Sequence, residues 1–427
     1  MSAATIAIII TVLAIIMYAT EVVPIAVTSI FACLAMAVFG VISYKDAFAG
    51  FSNDTTMMVL GMIVIGNALF ETGAASLIGS KLVKAVGTNE KKFLAAVILV
   101  AGILSGFLSN TGVCAMFLPV IASVAATSGG LITKKNTYMA LGFATVAGGM
   151  LTLVGSTPQL VAQGILQKMG QPTMGFFTIG VGGIPLLILL LVYFMTFGYS
   201  FQKKVFDFAE KQDTQTAEAA AAATVEKPVN PVKMWISILV LATCVAGFIT
   251  KIWTVGMIAM VGALVCVLTG CISEKRVYQT MDWTTVAVLA GALGFADGLD
   301  KSGAGKIIAD SAVRLLGTDA TPWVVFAAIV LIATVLTNIM SNTACTAMLT
   351  PICIFMAQGL GINPLTLVVG LVIGANLSYS TPIATPPVTM TLVAGYRFMD
   401  YVKVGGLFNI LAYIVTIIVV PLFLPLR

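Results

Sequence analysis

The chain has 427 residues, 59% of them hydrophobic and only 9% charged, with a net charge of +5 and no histidine. Its mean hydropathy of +1.07 exceeds what a soluble core of this size needs, so it reads as an all-α polytopic membrane protein. The missing histidine removes the commonest zinc ligand and proton shuttle. The basic residues flank apolar stretches rather than forming a soluble basic face, which argues against a nucleic-acid partner.

Apolar stretches of roughly 17 to 25 residues can cross a bilayer as helices. They are read at 3–19, 22–42, 56–70, 176–200, 234–251, 254–272, 284–299 and 404–425. The first lacks a basic leading region and a small-residue cleavage site, so it is expected to be a retained span rather than a signal peptide. Two longer stretches, 137–168 and 365–396, are interrupted by Gly and Pro and bring the expected spans to ten. Segments 75–87 and 304–317 carry basic residues at helical spacing on short apolar faces and read as interfacial helices. Gln202–Lys233, with mixed charges, Pro228 and Pro231, reads as a solvated linker. The seven cysteines show no Cys-x-x-Cys spacing and lie mostly in apolar segments, so they are expected to be buried small side chains.

The tripeptide Ser-Asn-Thr occurs twice, at Ser109-Asn110-Thr111 and Ser341-Asn342-Thr343. Each copy has a hydroxyl four residues upstream, Ser105 and Thr337, and a proline eight to ten residues downstream, Pro119 and Pro351. Glu71-Thr-Gly-Ala answers Lys301-Ser-Gly-Ala, and Gly155-Ser-Thr-Pro answers Ala384-Thr-Pro-Pro, all about 230 residues apart. The chain is therefore an internal repeat, with 1–201 and 234–427 as its halves and 202–233 between them.

The segments around the tripeptides, 92–126 and 323–358, are too long for one span and too short for two. Their polar junctions could not face lipid unsatisfied. They are expected to be re-entrant hairpins whose tips meet near the bilayer midplane. With hairpins returning to their starting side, one face collects fifteen of the 22 Lys and Arg, while the other holds Lys45, Lys168, Lys251, Lys301, Lys306, Arg314 and Arg427. The excess places the 202–233 linker in the cytoplasm and both termini outside, in a cell inner or plasma membrane. Each half then has an odd number of crossings, which inverts the second repeat against the first. Broken helices and hairpins meeting at the centre of inverted repeats point to a secondary transporter.

At a hairpin tip one helix ends and another begins, leaving N–H and C=O groups without intrahelical partners. Hydroxyls, the Asn carbonyl and free backbone carbonyls are hard oxygen ligands for a small monovalent cation such as sodium, while Asn amides and helix N-termini can donate to an anion. The prolines at 158, 386 and 387 free further carbonyls. No Lys or Arg falls at the expected midplane, so an anion there would be neutralised by dipoles, neutral donors and co-bound cations. Glu21, Glu71, Asp297 and Asp300 fall near span ends, where capping or interfacial placement is expected, Asp297 being the first choice for a proton carrier.

On the paired Ser-Asn-Thr motifs and the Gly/Ala-Ser/Thr-Pro breaks that follow them, the whole chain resembles the divalent anion:sodium symporter family of di- and tricarboxylate and sulfate transporters. The resemblance implies one sodium site around Ser105, Ser109, Asn110 and the Gly155 carbonyl. It implies a second around Thr337, the Met340 carbonyl, Asn342 and the Ala384 carbonyl. It also implies a substrate site of Asn110, Thr111, Asn342 and Thr343 with Ser156, Thr157, Thr385 and Pro386. A homodimer with an elevator-type transport domain, and no organic cofactor, belong to the same expectation. Thr157 stands where a proline is usual, and Gln159 and Val388 where an asparagine is usual, which leaves the anion open; an amino-terminal span common in the family has no counterpart in the reading. The function expected is sodium-coupled symport of a small divalent anion, foremost a C4-dicarboxylate. An electroneutral dicarboxylate exchanger and a sulfate or tricarboxylate transporter share the fold, while an arsenite-type permease or ion channel would use the tripeptides to line a pathway. A membrane enzyme finds no nucleophile–base pair, metal cluster or phosphate loop to support it.

Overall fold

The computed structural model describes residues 1–74, 77, 89–208, 230–316 and 321–427. Among them all regular structure is helical. The first half comprises α1 (Ala3–Thr20), α2 (Ile25–Val38), α3 (Tyr44–Ala49), α4 (Asp54–Glu71), α5 (Glu90–Ser105), α6 (Asn110–Thr127), α7 (Lys134–Gly149), α8 (Thr157–Lys168) and α9 (Gly180–Tyr193), which passes through a π-helical turn into α10 (Tyr199–Val205). The second comprises α11 (Pro231–Thr250), α12 (Val255–Leu268), α13 (Glu274–Thr280), α14 (Trp283–Ser302), α15 (Ala304–Leu316), α16 (Pro322–Thr337), α17 (Asn342–Leu360), α18 (Pro364–Asn376), α19 (Pro386–Met390) and α20 (Phe398–Phe423). Seven of the described helices are long and apolar enough to cross a membrane, and four shorter apolar ones accompany them. The expected interfacial helix at 304–317 is present as α15, whereas its counterpart at 75–87 lies, except for residue 77, outside the described residues, as do residues 209–229 of the linker. The described ends of the linker are already helical, in α10 and α11.

Elements follow one another in the same order in both halves, and pairs of tertiary contacts repeat at one offset. Adding 230 to Ser29, Asp46, Gly61 and Glu71 gives Ala259, Arg276, Gly291 and Lys301. A Cβ on Gly61 of α4 would lie 2.4 Å from the Ala259 backbone of α12, and one on Gly291 of α14 would lie 2.6 Å from the Ser29 backbone of α2. Only hydrogen permits either crossing, so glycine at both sites lets two helices of opposite halves pack backbone to backbone. Ion pairs repeat likewise, with their charges exchanged: Asp46 binds Lys301 at 2.7 Å, and Arg276 binds Glu71 at 2.7 Å. Glu21 and Lys251, again 230 apart, are the only non-glycine described residues with positive φ, at 46° and 53°, each turning the corner after the first helix of its half.

These pairs also fix which helix ends share a face. α13 carries Arg276 to the end of α4 and leads directly into the start of α14; α3 carries Asp46 to the end of α14 and leads into the start of α4. α4 and α14 are therefore antiparallel, the end of one beside the start of the other.

The hairpins expected at 92–126 and 323–358 are α5–α6 and α16–α17, with arms of 16 to 19 residues. At about 1.5 Å per residue the shorter arms reach about 24 Å, less than a hydrocarbon core of about 30 Å. Both expected broken helices are also found, with unequal gaps: residues 150–156 separate α7 from α8, and 377–385 separate α18 from α19. Pro382, Pro386 and Pro387 lengthen the second gap, because proline disfavours helix in the residue before it and removes a donor. α7 and α18 form the centre of the molecule, with Asn136 to Gly149 and Thr366 to Asn376 buried throughout. Phe143, Tyr379 and Phe408 pack there as an aromatic cluster tying α7 to the second gap and to α20. All seven cysteines are buried and unpaired.

Candidate functional site

Both hairpin tips and both helix breaks face one cavity of about 500 Å³. Ser109, Asn110 and Thr111 line it from the first hairpin, Ser341, Asn342 and Thr343 from the second, Gly155 to Pro158 from the first break, and Ala384 to Pro387 from the second. Of the sequence-predicted site residues, Ser105, Thr337 and Met340 lie behind this wall rather than on it.

Each tip is built by the same local device. Ser109 caps α6 by accepting from the Gly112 N–H at 3.3 Å, and Ser341 caps α17 by accepting from Ala344 at 3.2 Å. A serine oxygen in that role satisfies one of the orphan donors of a new helix, which is why the chain can turn there inside an apolar environment. The upstream hydroxyl then grips the asparagine: Ser105 Oγ lies 2.6 Å from the Asn110 amide, and Thr337 Oγ1 donates to the side-chain oxygen of Asn342 at 2.6 Å.

Around Asn110 oxygen atoms converge. The end of its amide that meets Ser105 Oγ at 2.6 Å also faces the carbonyls of Gly155 at 2.9 Å and Thr145 at 3.2 Å. With the amide nitrogen turned inward these are hydrogen bonds; with the amide oxygen turned inward four oxygens meet, an arrangement a cation between them would stabilise. Gly149 makes the approach possible, since a Cβ there would lie 2.5 Å from the Asn110 amide. Gln159 Nε2 donates to the Gly149 carbonyl at 2.8 Å, so the residue in the usual asparagine position supports the break from behind and is absent from the cavity wall.

The second tip is held differently. Thr337 Oγ1 also lies against the Ala375 carbonyl, an alternative acceptor for its one proton, and Asn338 bridges hairpin and break by donating to Leu377 O at 2.9 Å and accepting from Ser380 N at 3.1 Å. Asn409 of α20 completes the clamp with a 2.6 Å bond to Ser380 Oγ. Thr385, a residue of the cavity wall, has a buried hydroxyl without a hydrogen-bond partner.

The halves are stitched together at the site. Ser156 Oγ donates to Asn376 Oδ1 at 3.2 Å, joining the first break to the last residue of α18. Cys114 Sγ contacts the Pro387 carbonyl at 3.4 Å, joining α6 to the second break. On the far wall α4 and α14 contribute Asn67, Thr284 and Thr285, with Thr157 and Thr285 hydroxyls 3.3 Å apart. Sequence reading missed Thr145, Asn376, Asn67 and Thr285, because single polar residues in apolar helices carry no pattern. Glu21 stands at the end of α1 as its C-cap, as expected, and its carboxylate also accepts the Ser341 N–H at 2.8 Å, at the second tip itself. Asp297 departs from expectation: it is 7% exposed inside α14 and paired with Lys168 and Lys301.

Among the described residues Asp282 is the sole ionisable side chain on the cavity wall, and it caps α14 by accepting from the Thr285 N–H at 3.1 Å. No described Lys or Arg lines the wall. The cavity offers hydroxyls, amides and carbonyls from four chain discontinuities, inside a fold whose flanking helices match a bilayer. A multi-pass membrane protein of this construction is a transporter and not an enzyme.

The chain belongs to the citrate transporter (CitMHS) family, whose model matches residues 13–369, in accord with the resemblance to divalent anion:sodium symporters. It is 27% identical over 421 residues to an uncharacterised transporter of Haemophilus influenzae, covering 94% of this chain and 87% of that one. Over 440 residues it is 25% identical to the sodium-dependent dicarboxylate transporter SdcS of Staphylococcus saprophyticus, covering 95% and 83%. Among solved structures, MtrF of Neisseria gonorrhoeae, presented with a class of antimetabolite efflux pumps, matches 99% of this chain and 95% of its own with a TM-score of 0.65 at 15% identity. The YdaH transporter of Alcanivorax borkumensis matches 90% and 87% with a TM-score of 0.60 at 14% identity. At those identities the likeness is one of fold.

Proposed function

We propose that this transporter couples sodium to the movement of a small divalent anion, foremost a C4-dicarboxylate such as succinate. The observation that carries the reading is the convergence of both Ser-Asn-Thr tips and both breaks on one cavity that no described basic side chain lines. Asp282 makes that wall formally negative, so a dianion binds only when cations enter with it. The name of the Staphylococcus relative, a sodium-dependent dicarboxylate transporter, supports the same coupling.

In this reading one sodium ion takes Ser105, Ser109, Asn110 and the Gly155 carbonyl, and another takes Thr337, Asn342 and the carbonyls of Met340 and Ala384. The substrate carboxylates take Asn110, Thr111, Asn342 and Thr343, with Ser156, Thr157, Thr385 and the Pro386 edge beside them. Each asparagine then serves both ions, its oxygen to sodium and its nitrogen to the carboxylate, so filling one site shapes the other. The halves are inverted repeats, the linker is cytoplasmic and both termini are outside, as the distribution of Lys and Arg favours. A homodimer with the hairpins and broken helices moving as one elevator-type body completes the proposal.

Counterflow in proteoliposomes tests it: labelled succinate uptake is expected to rise with an inward sodium gradient. Uptake indifferent to sodium would remove the coupling and leave a dicarboxylate exchanger; uptake of citrate or sulfate but not succinate would reassign the anion.

A further inference from the structure

α8 is a rigid rod of 12 residues that begins at the cavity with Thr157 and ends about 17 Å away at Lys168. Its far end is seated between two helices of the opposite wall. Lys168 Nζ lies 3.5 Å from Asp297 of α14, and Gln167 Oε1 accepts from Thr55 Oγ1 of α4 at 2.9 Å. Asp297 is nearly buried, and Lys301 binds its other oxygen at 2.9 Å while reaching Asp46. This contact lies at the start of α4 and the end of α14. The cavity reaches their other ends, where Asn67, Phe70, Thr280 and Asp282 line what is taken as its mouth. Contact and cavity thus sit at opposite ends of the same two helices.

The repeat supplies the counterpart of this contact. Offsets of 229 and 230 carry Lys168 to Arg397 and Asp297 to Asn67. Those two are not joined: Arg397 pairs with Asp207 at 3.5 Å, and Asn67 donates to the Thr280 carbonyl at 3.2 Å on the cavity wall. Two chemically related halves thus hold different relations to the opposite wall, which is what one conformation of an alternating pair looks like. The paired side has a lysine and an acid; the unpaired side has an arginine and an amide.

We infer that Lys168 and Asp297 form the closing contact of the face opposite the cavity mouth, and that their pair opens, as Arg397 and Asn67 approach, when the site turns to that face. The inference rests on the proposed transport reading only in that a transporter's site must reach both faces. Because the exchanged pair has no acid, the ion pair biases the resting protein toward the conformation described above. Removing the acid equalises the two sides.

Hydrogen exchange read by mass spectrometry on the full chain in lipid nanodiscs tests this without knowledge of the substrate. For Asp297→Asn, several-fold faster exchange is expected around Thr55, Gln167–Lys168 and residue 297. It is to be accompanied by slower exchange around Asn67–Phe70 and Thr280–Thr285 as the mouth closes. Faster exchange at the seal without protection at the mouth, or no change at either, would overturn the inference and make the pair a static tie. Lys168→Met removes the same pair through its more exposed partner and is read identically if the Asp297 variant does not fold. Succinate counterflow on the unaltered protein tests the transport reading separately, since its failure would leave the exchange pattern to decide this one.

Discussion

The two hairpin tips share three letters, a serine cap and a hydroxyl–asparagine contact but rest on different foundations. At the first, the Asn110 amide faces the backbone carbonyls of Gly155 and Thr145, and Gly149 makes room for it. At the second, side chains carry the load: Thr337 reaches Ala375, and Asn338 with Asn409 pins the longer gap of 377–385. A gap of nine residues exposes more backbone than one of seven, and inside a membrane each exposed group needs a partner. The difference teaches that the tripeptide sets the ligand chemistry while the length of the opposing break sets how many supporting polar residues the fold must recruit.

The largest effects are expected where the tips are alike. Asn110→Ala and Asn342→Ala remove donors and acceptors to charged ligands, each worth about 1.5–3 kcal/mol, so succinate transport should fall by at least ~10-fold to ~100-fold in either variant. Size-exclusion profiles should stay those of the unaltered protein. Transport by one variant with unchanged sodium dependence would show that its tip is not a sodium site, breaking the equivalence of the two tips.

Next come the glycine crossings. Gly61→Ala and Gly291→Ala each drive a Cβ into backbone at 2.4 Å and 2.6 Å, and overpacking of this kind costs about 1–3 kcal/mol. The melting temperature in detergent should drop by similar amounts in both. A large drop in one alone would mean that the halves do not bear load equally.

The supporting residues sharpen the contrast between the tips. Asn409→Ala should loosen the second break, seen as faster hydrogen exchange across 377–385, with no change across 150–156. The smallest effect is expected for Arg276→Gln, which removes a partly exposed ion pair of a kind worth about 0–1 kcal/mol. Its melting temperature should move by no more than a few degrees.

Much of this architecture was legible because a membrane exaggerates pattern. Small polar residues inside long apolar runs mark chain breaks, and helices end or begin beside them at Ser109, Ser341, 150–156 and 377–385. The far wall was not legible: Asn67 and Thr285 are isolated polar residues in ordinary helices, and only the crossing of α4 and α14 opposite the tips gives them a role. Asp297 looked like a span-end residue because its partner Lys168 is distant in sequence. Charge exchange hid part of the repeat, since the offset of 230 aligns Asp46 with Arg276, acid with base.

The central claim is that neutral groups at two tips bind an anion only together with cations. Titrating purified protein with succinate at a series of sodium concentrations, with potassium holding ionic strength constant, tests it most directly. The account predicts affinity that tightens steeply with sodium and binding too weak to detect in potassium alone. Succinate affinity that is the same with and without sodium would contradict it.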